Sequence, residues 1–315
     1  MQIIHGTTEF EIEGRNAVAI GKFDGIHLGH QKLLHFILEQ KEIGRKAVVF
    51  TFDPPPAQLF GRAGSSELMT REEKRAAFEQ MGIDILIEFP LTLETAAILP
   101  QDFIEDILVK RIHAVYIAAG TDVSFGAGGA GNAMLLQSMK NFCGYEVQMI
   151  DKICYKGREV SSSYVREAVE QGHMEDAAGL LGAPYRVEGT VVHGNRFGRT
   201  IGMPTVNLLP PAVKLLPPNG VYYSYVDMTD GRYAGITNIG YKPTVSEERR
   251  LGVETYIYGF DREIYGEEIS VSLLKFKRAE MKFSGKEALK SQMEKDIEDG
   301  SRFHQNVRMK GQDRS

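Results

Sequence analysis

Apolar positions in the first 183 residues fall into short strand-like runs separated by amphipathic stretches. The runs are Ala17–Gly21, Lys46–Phe52, Ile83–Phe89, Ala114–Ala119 and Glu146–Ile150. Between them, "HQKLLHFILEQ" sets Leu34, Ile37 and Leu38 on one helical face. "TREEKRAAFEQMG" opens with the capping-box pair Thr70 and Glu73, and "LPQDFIEDILVKRI" adds an amphipathic segment carrying Phe103, Ile107 and Leu108. Strands alternating with helices predict right-handed crossovers and a mostly parallel sheet, whose ligands bind at the carboxyl ends of the strands.

The rhythm changes after "HMEDAAGLLGAPY". Residues 184–283 are rich in β-branched and aromatic residues broken by the turns "HGNRFG", "PPNG", "TDG" and "FDREIYG". Strands are expected at Tyr185–Val192, Val221–Met228, Tyr233–Asn238, Val253–Tyr258 and Ile269–Phe276. With no helices between them, they read as a small antiparallel barrel or sandwich. "GKEALKSQMEKDIEDGSRF" reads as a closing helix, and the polar tail from Arg308 as frayed. The shift at Ala183–Pro184 predicts two domains, residues 1–183 and 184–315.

A length of 315 residues with 43% hydrophobic and 25% charged content suits two packed domains. A net charge of -5 and a pI near 6.0 argue against a nucleic-acid partner while permitting a local basic pocket. Cys143 and Cys154 have no metal or redox spacing, and the N-terminus carries glutamates where a signal peptide needs an apolar run. The expectation is a cytoplasmic protein with no membrane partner.

The densest chemistry follows the first strand of the alternating half, in "GKFDGIHLGHQ", which places His27 and His30 where strand passes to helix. Helix N-termini favour anions, and two imidazoles added there would cradle a polyphosphate; the alternative is a pair of histidines that merely cap the helix. A zinc site would need the acidic partner of an H-E-x-x-H pattern, which is missing. In "EVSSSYVREAVEQG", Ser161, Ser162 and Ser163 precede a helix with Arg166 one turn in, a set that either caps the helix or holds a phosphate. A glycine-rich loop, "GTDVSFGAGGAGN", ends the fourth strand at the same sheet edge. In the second half, Thr205 and Asn207 share one face of an extended segment and are hard ligands suited to Mg²⁺, or else face solvent. Glu254 interrupts an apolar strand, facing either a site or solvent.

The H-x-G-H followed by S-S-S-x-V-R resembles the nucleotidyltransferase superfamily. The longer stretches "GKFDGIHLGHQ", "VSSSYVREAVEQGHMEDAAGLLGAPY", "VVHGNRFGRTIGMPTVNL", "GITNIGYKPTV" and "VETYIYGFDREIYGEEISV" narrow it to bacterial bifunctional riboflavin kinase/FAD synthetases, over residues 15–300. The resemblance implies an α/β parallel-sheet, Rossmann-like nucleotidyltransferase domain followed by an antiparallel six-stranded β-barrel with a C-terminal helix. It implies ATP-dependent conversion of riboflavin to FMN, then of FMN to FAD. An ATP cradle would be formed by Gly21, Phe23, Asp24, Gly25, His27, Gly29, His30, Ser161, Ser162, Ser163 and Arg166, and an FMN pocket by Phe52, Pro54, Asp122, Phe125 and Asn132. In the kinase half it implies an ATP flap with Gly194, Gly198, Arg199 and Gly202, Mg²⁺ on Thr205 and Asn207, Glu254 as general base, and Arg278, Met281 and Phe283 on the flavin side.

Two stretches depart from the family pattern. Pro55 replaces a histidine in F-x-P-H-P, and Thr121 and Val123 replace the aromatics of G-F-D-F. The expectation is an intact ATP cradle with weakened FMN binding. The alternatives are a riboflavin kinase with a weakened adenylyltransferase half, and a flavin-binding regulator without turnover.

Overall fold

The computed structural model describes residues 1–55, 66–194, 198, 202–242 and 250–312. Contacts divide the chain into two compact units, Met1–Ser162 and Ser163–Ser315.

The first unit is built on a parallel sheet of β1 (Gln2–His5), β2 (Asn16–Ile20), β3 (Lys46–Asp53), β4 (Ile85–Pro90), β5 (Ala114–Gly120) and β6 (Glu146–Ile150). Its strand order is β1-β4-β3-β2-β5-β6. All five expected strands are present, and β1 adds an edge in register with β4, Gln2 opposite Ile85. Alternate residues point to opposite faces, and both faces are buried. Ala17, Ala19, Ala47, Val49, Leu86 and Ala118 form one face. Their small side chains let the helix Leu28–Glu39 approach with Leu33, Leu34 and Ile37, while Phe78 covers the same face from the helix Arg71–Gln80. Val18, Ile20, Val48, Phe50, Ile85, Ile87 and Ile117 form the other, beneath Phe103, Ile104, Ile107, Leu108 and Leu136. The expected amphipathic segment here winds wider than an α-helix over Phe103–Arg111, ending in a five-residue bond from the Ile112 N–H to the Ile107 carbonyl. Its i, i+4 apolar pairs still share one face.

A short antiparallel ribbon of β7 (Cys154–Tyr155) and β8 (Arg158–Glu159) follows the parallel sheet. The second unit is an antiparallel sheet of β9 (Tyr185–Thr190), β10 (Thr205–Leu208), β11 (Gly220–Met228), β12 (Gly231–Lys242), β13 (Arg250–Ile257) and β14 (Glu268–Ala279), in the order β10-β13-β12-β11-β14-β9. The sheet curls until its two edges meet. Val192, just beyond β9, donates its N–H to the Asn207 carbonyl on β10 at 2.8 Å. Inside the curl a trio of buried hydroxyls spans three strands, Thr237 bonding both Ser224 and Thr255 at 2.8 Å. Outside it lies the helix Lys286–Gln312, seated by a Tyr223–Phe303 ring stack at 4.3 Å and by the Tyr258 hydroxyl donating to the Ile297 carbonyl at 2.6 Å. This helix runs past Arg308, where polar composition points to fraying.

The helix Met174–Leu181 packs on β9 and β14, with Met174, Ala177, Leu180 and Leu181 buried and Glu175 paired with Lys275 at 2.6 Å. A large apolar side chain contributes about 1.5–3 kcal/mol on burial. A fragment 163–315 is therefore expected to melt at least about 10 °C above a fragment 184–315, since 1 kcal/mol moves a domain of this size by several degrees. Equal melting temperatures by circular dichroism would show that the helix adds no stability.

Candidate active sites

The first unit gathers its polar groups where strand order reverses. β2 pairs with β3 on one side and β5 on the other, so the loops leaving β2 and β5 flank the crevice in which such sheets bind ligands. His27 caps the helix Leu28–Glu39, its Nδ1 accepting the His30 N–H at 3.3 Å. The capping alternative therefore holds, and it also sets the tautomer. With Nδ1 as acceptor, the neutral His27 ring carries its proton on Nε2 and can donate from there. The two imidazoles stack at 3.8 Å and 15°. Gly29 gives them room, because a Cβ there would lie 3.2 Å from the His27 ring.

Burial governs the charge of the pair. His27 is lowered to about 4, chiefly by desolvation, with the Asp122 carboxylate opposing without overcoming it. His30 is held well below the usual histidine range by desolvation first, then by His27 and Lys74. Its Nδ1 is sealed from solvent and has no hydrogen-bond partner among the described residues. Both rings are neutral at pH 7.

Around them, Phe23 is buried against His30 and Phe78. Ser162 Oγ donates to the Asp24 carbonyl at 2.8 Å, bringing the serine motif to the histidine loop. Ser163 and Arg166 follow in the helix Ser162–Glu170. Among the residues expected at the flavin, Phe125 is buried against Phe103 at 5.2 Å, while Phe52 is half-buried, as are Pro54 and Pro55. Asn132 caps the helix Ala133–Cys143 by accepting the Leu135 N–H. Thr121 and Asp122 are exposed, and Val123 is half-buried against the core.

In the second unit the register puts Asn207, Glu254 and Asn238 side by side across three strands, with Thr205 two residues along β10 on the same face. Val206 takes the opposite face, opposite Thr255. Thr205 Oγ1 donates to Glu254 Oε1 at 2.5 Å. The backbone comes close because two residues have no side chain. A Cβ at Gly194 would lie 2.4 Å from the Asn207 amide nitrogen, and one at Gly198 would lie 2.2 Å from the Met203 carbonyl oxygen. Gly202 is exposed, and Arg199 lies outside the described residues.

Two cavities meet at Thr205. One, of about 640 Å³, runs along the outer face of the sheet and takes in Glu254, Arg278, Met281, Phe283 and residues of the closing helix. The other, of about 520 Å³, is bounded by Val191, Phe260, Arg262 and Tyr265.

A model of FAD synthetases matches residues 9–164, and one of riboflavin kinases matches residues 181–304. The bifunctional riboflavin kinase/FMN adenylyltransferase of Listeria monocytogenes is 36% identical over 94% of this chain and 95% of its own. That of Bacillus subtilis is 34% identical over 95% of each. The chain belongs to the bifunctional riboflavin kinase/FMN adenylyltransferase family. A solved structure named as a macrolide-efflux protein from Streptococcus pneumoniae is also similar, with a TM-score of 0.81 and 29% identity over 91% of this chain and 94% of that one. Among the described residues no helix is long and apolar enough to cross a membrane.

Sequence reasoning missed part of this family member's kinase cavity. Asp296 is buried and holds Arg278 by a forked ion pair, Nε to Oδ2 at 3.0 Å and Nη2 to Oδ2 at 2.5 Å, while Gln292 donates to its Oδ1 at 2.9 Å. A signal was present: Leu289, Met293, Asp296 and Ile297 recur at helical spacing, and one of the four is an acid. The second cavity was missed as well, because "FDREIYG" reads only as a turn.

The neutral His27 makes stability depend on pH. Its folded pKa lies below the unfolded value of 6.5, so the unfolded chain binds more protons between pH 6.5 and 4. The contribution is complete above pH 6.5 and is lost as pH falls toward 4, by about 3 kcal/mol. His27→Asn, which keeps a capping oxygen, is expected to flatten that slope in urea titrations. An unchanged slope would mean that His27 is not held neutral.

Proposed function

We propose that residues 184–315 transfer the γ-phosphoryl group of ATP to the ribityl 5′-hydroxyl of riboflavin, giving FMN. Residues 1–183 then join AMP from a second ATP to FMN, giving FAD and pyrophosphate. The Thr205–Glu254 hydrogen bond on the wall of the larger cavity, with Thr205 also lining the smaller, carries the kinase assignment. Phosphoryl transfer needs a nucleotide and an acceptor alcohol brought to one point, with a base beside the alcohol.

The larger cavity suits the flavin. Its half-exposed Met281 and Tyr241 offer apolar surface to a ring, and Arg278 is held rigid by Asp296. The smaller, which shares Thr205 with the larger, is left for the nucleotide. Glu254, oriented by the Thr205 hydroxyl, removes the proton of the attacking alcohol. Thr205 and Asn207 fit Mg²⁺. They present hard oxygens on one face, and the Thr205 hydroxyl keeps its lone pairs because it donates to Glu254. When bound there, the ion would offset charge on the phosphates.

In the adenylyltransferase half, neutral imidazoles donate hydrogen bonds to the phosphate oxygens as charge develops on them. Donors prearranged in a desolvated site stabilise that charge more than donors in water. Ser162, bonded to the Asp24 carbonyl, and its neighbour Ser161 extend the cradle. A reducing cytoplasm, which supplies ATP, suits both reactions and the free Cys143 and Cys154.

A crossed experiment tests both assignments. Glu254→Gln is expected to slow riboflavin phosphorylation by roughly 10²–10⁴-fold with FMN adenylylation unchanged. His27→Ala is expected to slow FAD formation from FMN by about 10²–10³-fold with the kinase unchanged. Chromatography of the flavins over time reads both, and loss of both activities in either variant would refute the division.

Thr121 stands exposed at the edge where the family has an aromatic, so FMN binds weakly. Thr121→Phe is expected to lower the KM for FMN by up to about tenfold, the equivalent of about 1.4 kcal/mol from ring stacking. An unchanged KM would remove position 121 from the flavin pocket.

A further inference from the structure

The loop between β2 and the helix Leu28–Glu39 holds a backbone that its side chains disfavour. Phe23, Gly25 and Ile26 have φ of 51°, 88° and 42°. For a phenylalanine and a β-branched isoleucine the left-handed region is costly, and it persists only where the surroundings over-determine it. Several anchors are evident. The Phe23 ring is buried, Gln31 Nε2 donates to the Ile26 carbonyl at 2.9 Å, and the Thr51 hydroxyl donates to the Lys22 carbonyl at 3.4 Å.

Asp24 adds two more, from opposite ends of one residue. Its carboxylate Oδ1 accepts the backbone N–H of Leu68 at 2.9 Å, and its carbonyl accepts the Ser162 hydroxyl at 2.8 Å. These partners lie 44 and 138 positions along the chain. Leu68 is fully buried and leads into the capped helix Arg71–Gln80, while Ser162 begins the helix that carries the serine motif. One side chain thus fixes the histidine loop to a buried residue of the connection that leads into the helix Arg71–Gln80.

We propose that Asp24 is a positioning residue for adenylyl transfer. It accepts the Leu68 N–H and thereby holds the strained loop that presents His27 and His30; it does not act through its charge on a substrate. Family resemblance alone counts Asp24 among the ATP-contacting residues. An acid facing a triphosphate would oppose binding by like-charge repulsion, whereas a carboxylate engaged by a backbone N–H has a structural reason to be there. The inference rests on the assignment of this loop to FMN adenylylation.

Asp24→Asn separates the two roles, since an amide oxygen still accepts from Leu68 but carries no charge. Asp24→Ala is expected to lower kcat for FMN adenylylation about tenfold or more, the size of effect expected for a lost hydrogen bond to a charged group. The KM for ATP and FMN should stay within about threefold, and riboflavin phosphorylation should stay at the parent rate. Asp24→Asn is expected to recover most of that kcat, with the Leu68 amide protected from hydrogen exchange as in the parent and exposed in Asp24→Ala.

Equal impairment of the two variants, or a parent-like kcat in Asp24→Ala, would overturn the proposal. If Asp24→Ala does not fold, Asp24→Asn decides alone. Retained activity with a protected Leu68 amide supports the proposal, and lost activity with that amide still protected defeats it. FAD formation by the parent enzyme is the control, and its absence would instead strike the adenylyltransferase assignment.

Discussion

A parallel sheet has to be covered on both faces, and that requirement confines the chemistry of the first unit to the ends of its strands. Ala17 and Ala19 lie under one layer of helices and Val18 and Ile20 under the other, so β2 has no solvent face on which to carry a functional group. Polar residues collect where β2 and β5 end and the strand order reverses. The same closeness of packing desolvates His27 and His30 and keeps the imidazoles neutral, so that in their proposed role as phosphate donors their strength comes from placement. A cationic pair would attract ATP more strongly before reaction. A neutral pair is better matched to charge that appears during transfer.

The second unit meets the opposite demand. Its curled sheet buries an inner face of valine, isoleucine and hydroxyl residues, and its outer face is left for function beneath one long helix. Three polar side chains line up there because antiparallel register sets Asn207, Glu254 and Asn238 opposite one another. The closing helix contributes more than cover. Its buried Asp296 fixes Arg278, so the wall of the larger cavity and the helix are joined by a charge pair within the site itself.

Both sites rely on groups that orient one another. Thr205 aims Glu254, the His30 amide selects the tautomer of His27, and Leu68 and Ser162 hold Asp24. Each arrangement uses a hydrogen bond between residues far apart in sequence or at a helix end, and each leaves the reactive atom of one partner available. Charge is secondary in the adenylyltransferase half, where burial suppresses it, and central in the kinase half, where the proposed base is a carboxylate.

Much of this was legible in the sequence, because the underlying signals are local. Alternating strands and helices, the capping box at Thr70, the H-x-G-H step from strand to helix and the pairing of Thr205 with Asn207 all depend on residues a few positions apart. The family resemblance rested on the same short stretches. Other features depended on the folded chain. The edge strand β1 owes its place to β4, some eighty residues away, and four residues carry no clear strand period. The protonation of His27 and His30 follows from how deeply other elements bury them. Val123, read as a lost flavin contact, is half-buried against the core, while Thr121, two residues before it, stays at the surface. The acid of the closing helix was visible as a break in its apolar stripe, yet its partner was not, since nothing in the sequence joins Asp296 to Arg278. Residue type and spacing thus gave the elements and their chemistry. Which of those groups are neutral, which are paired and which face a cavity was decided only when distant segments closed over them, because desolvation and hydrogen-bond partnership are properties of surroundings that a linear chain does not yet possess.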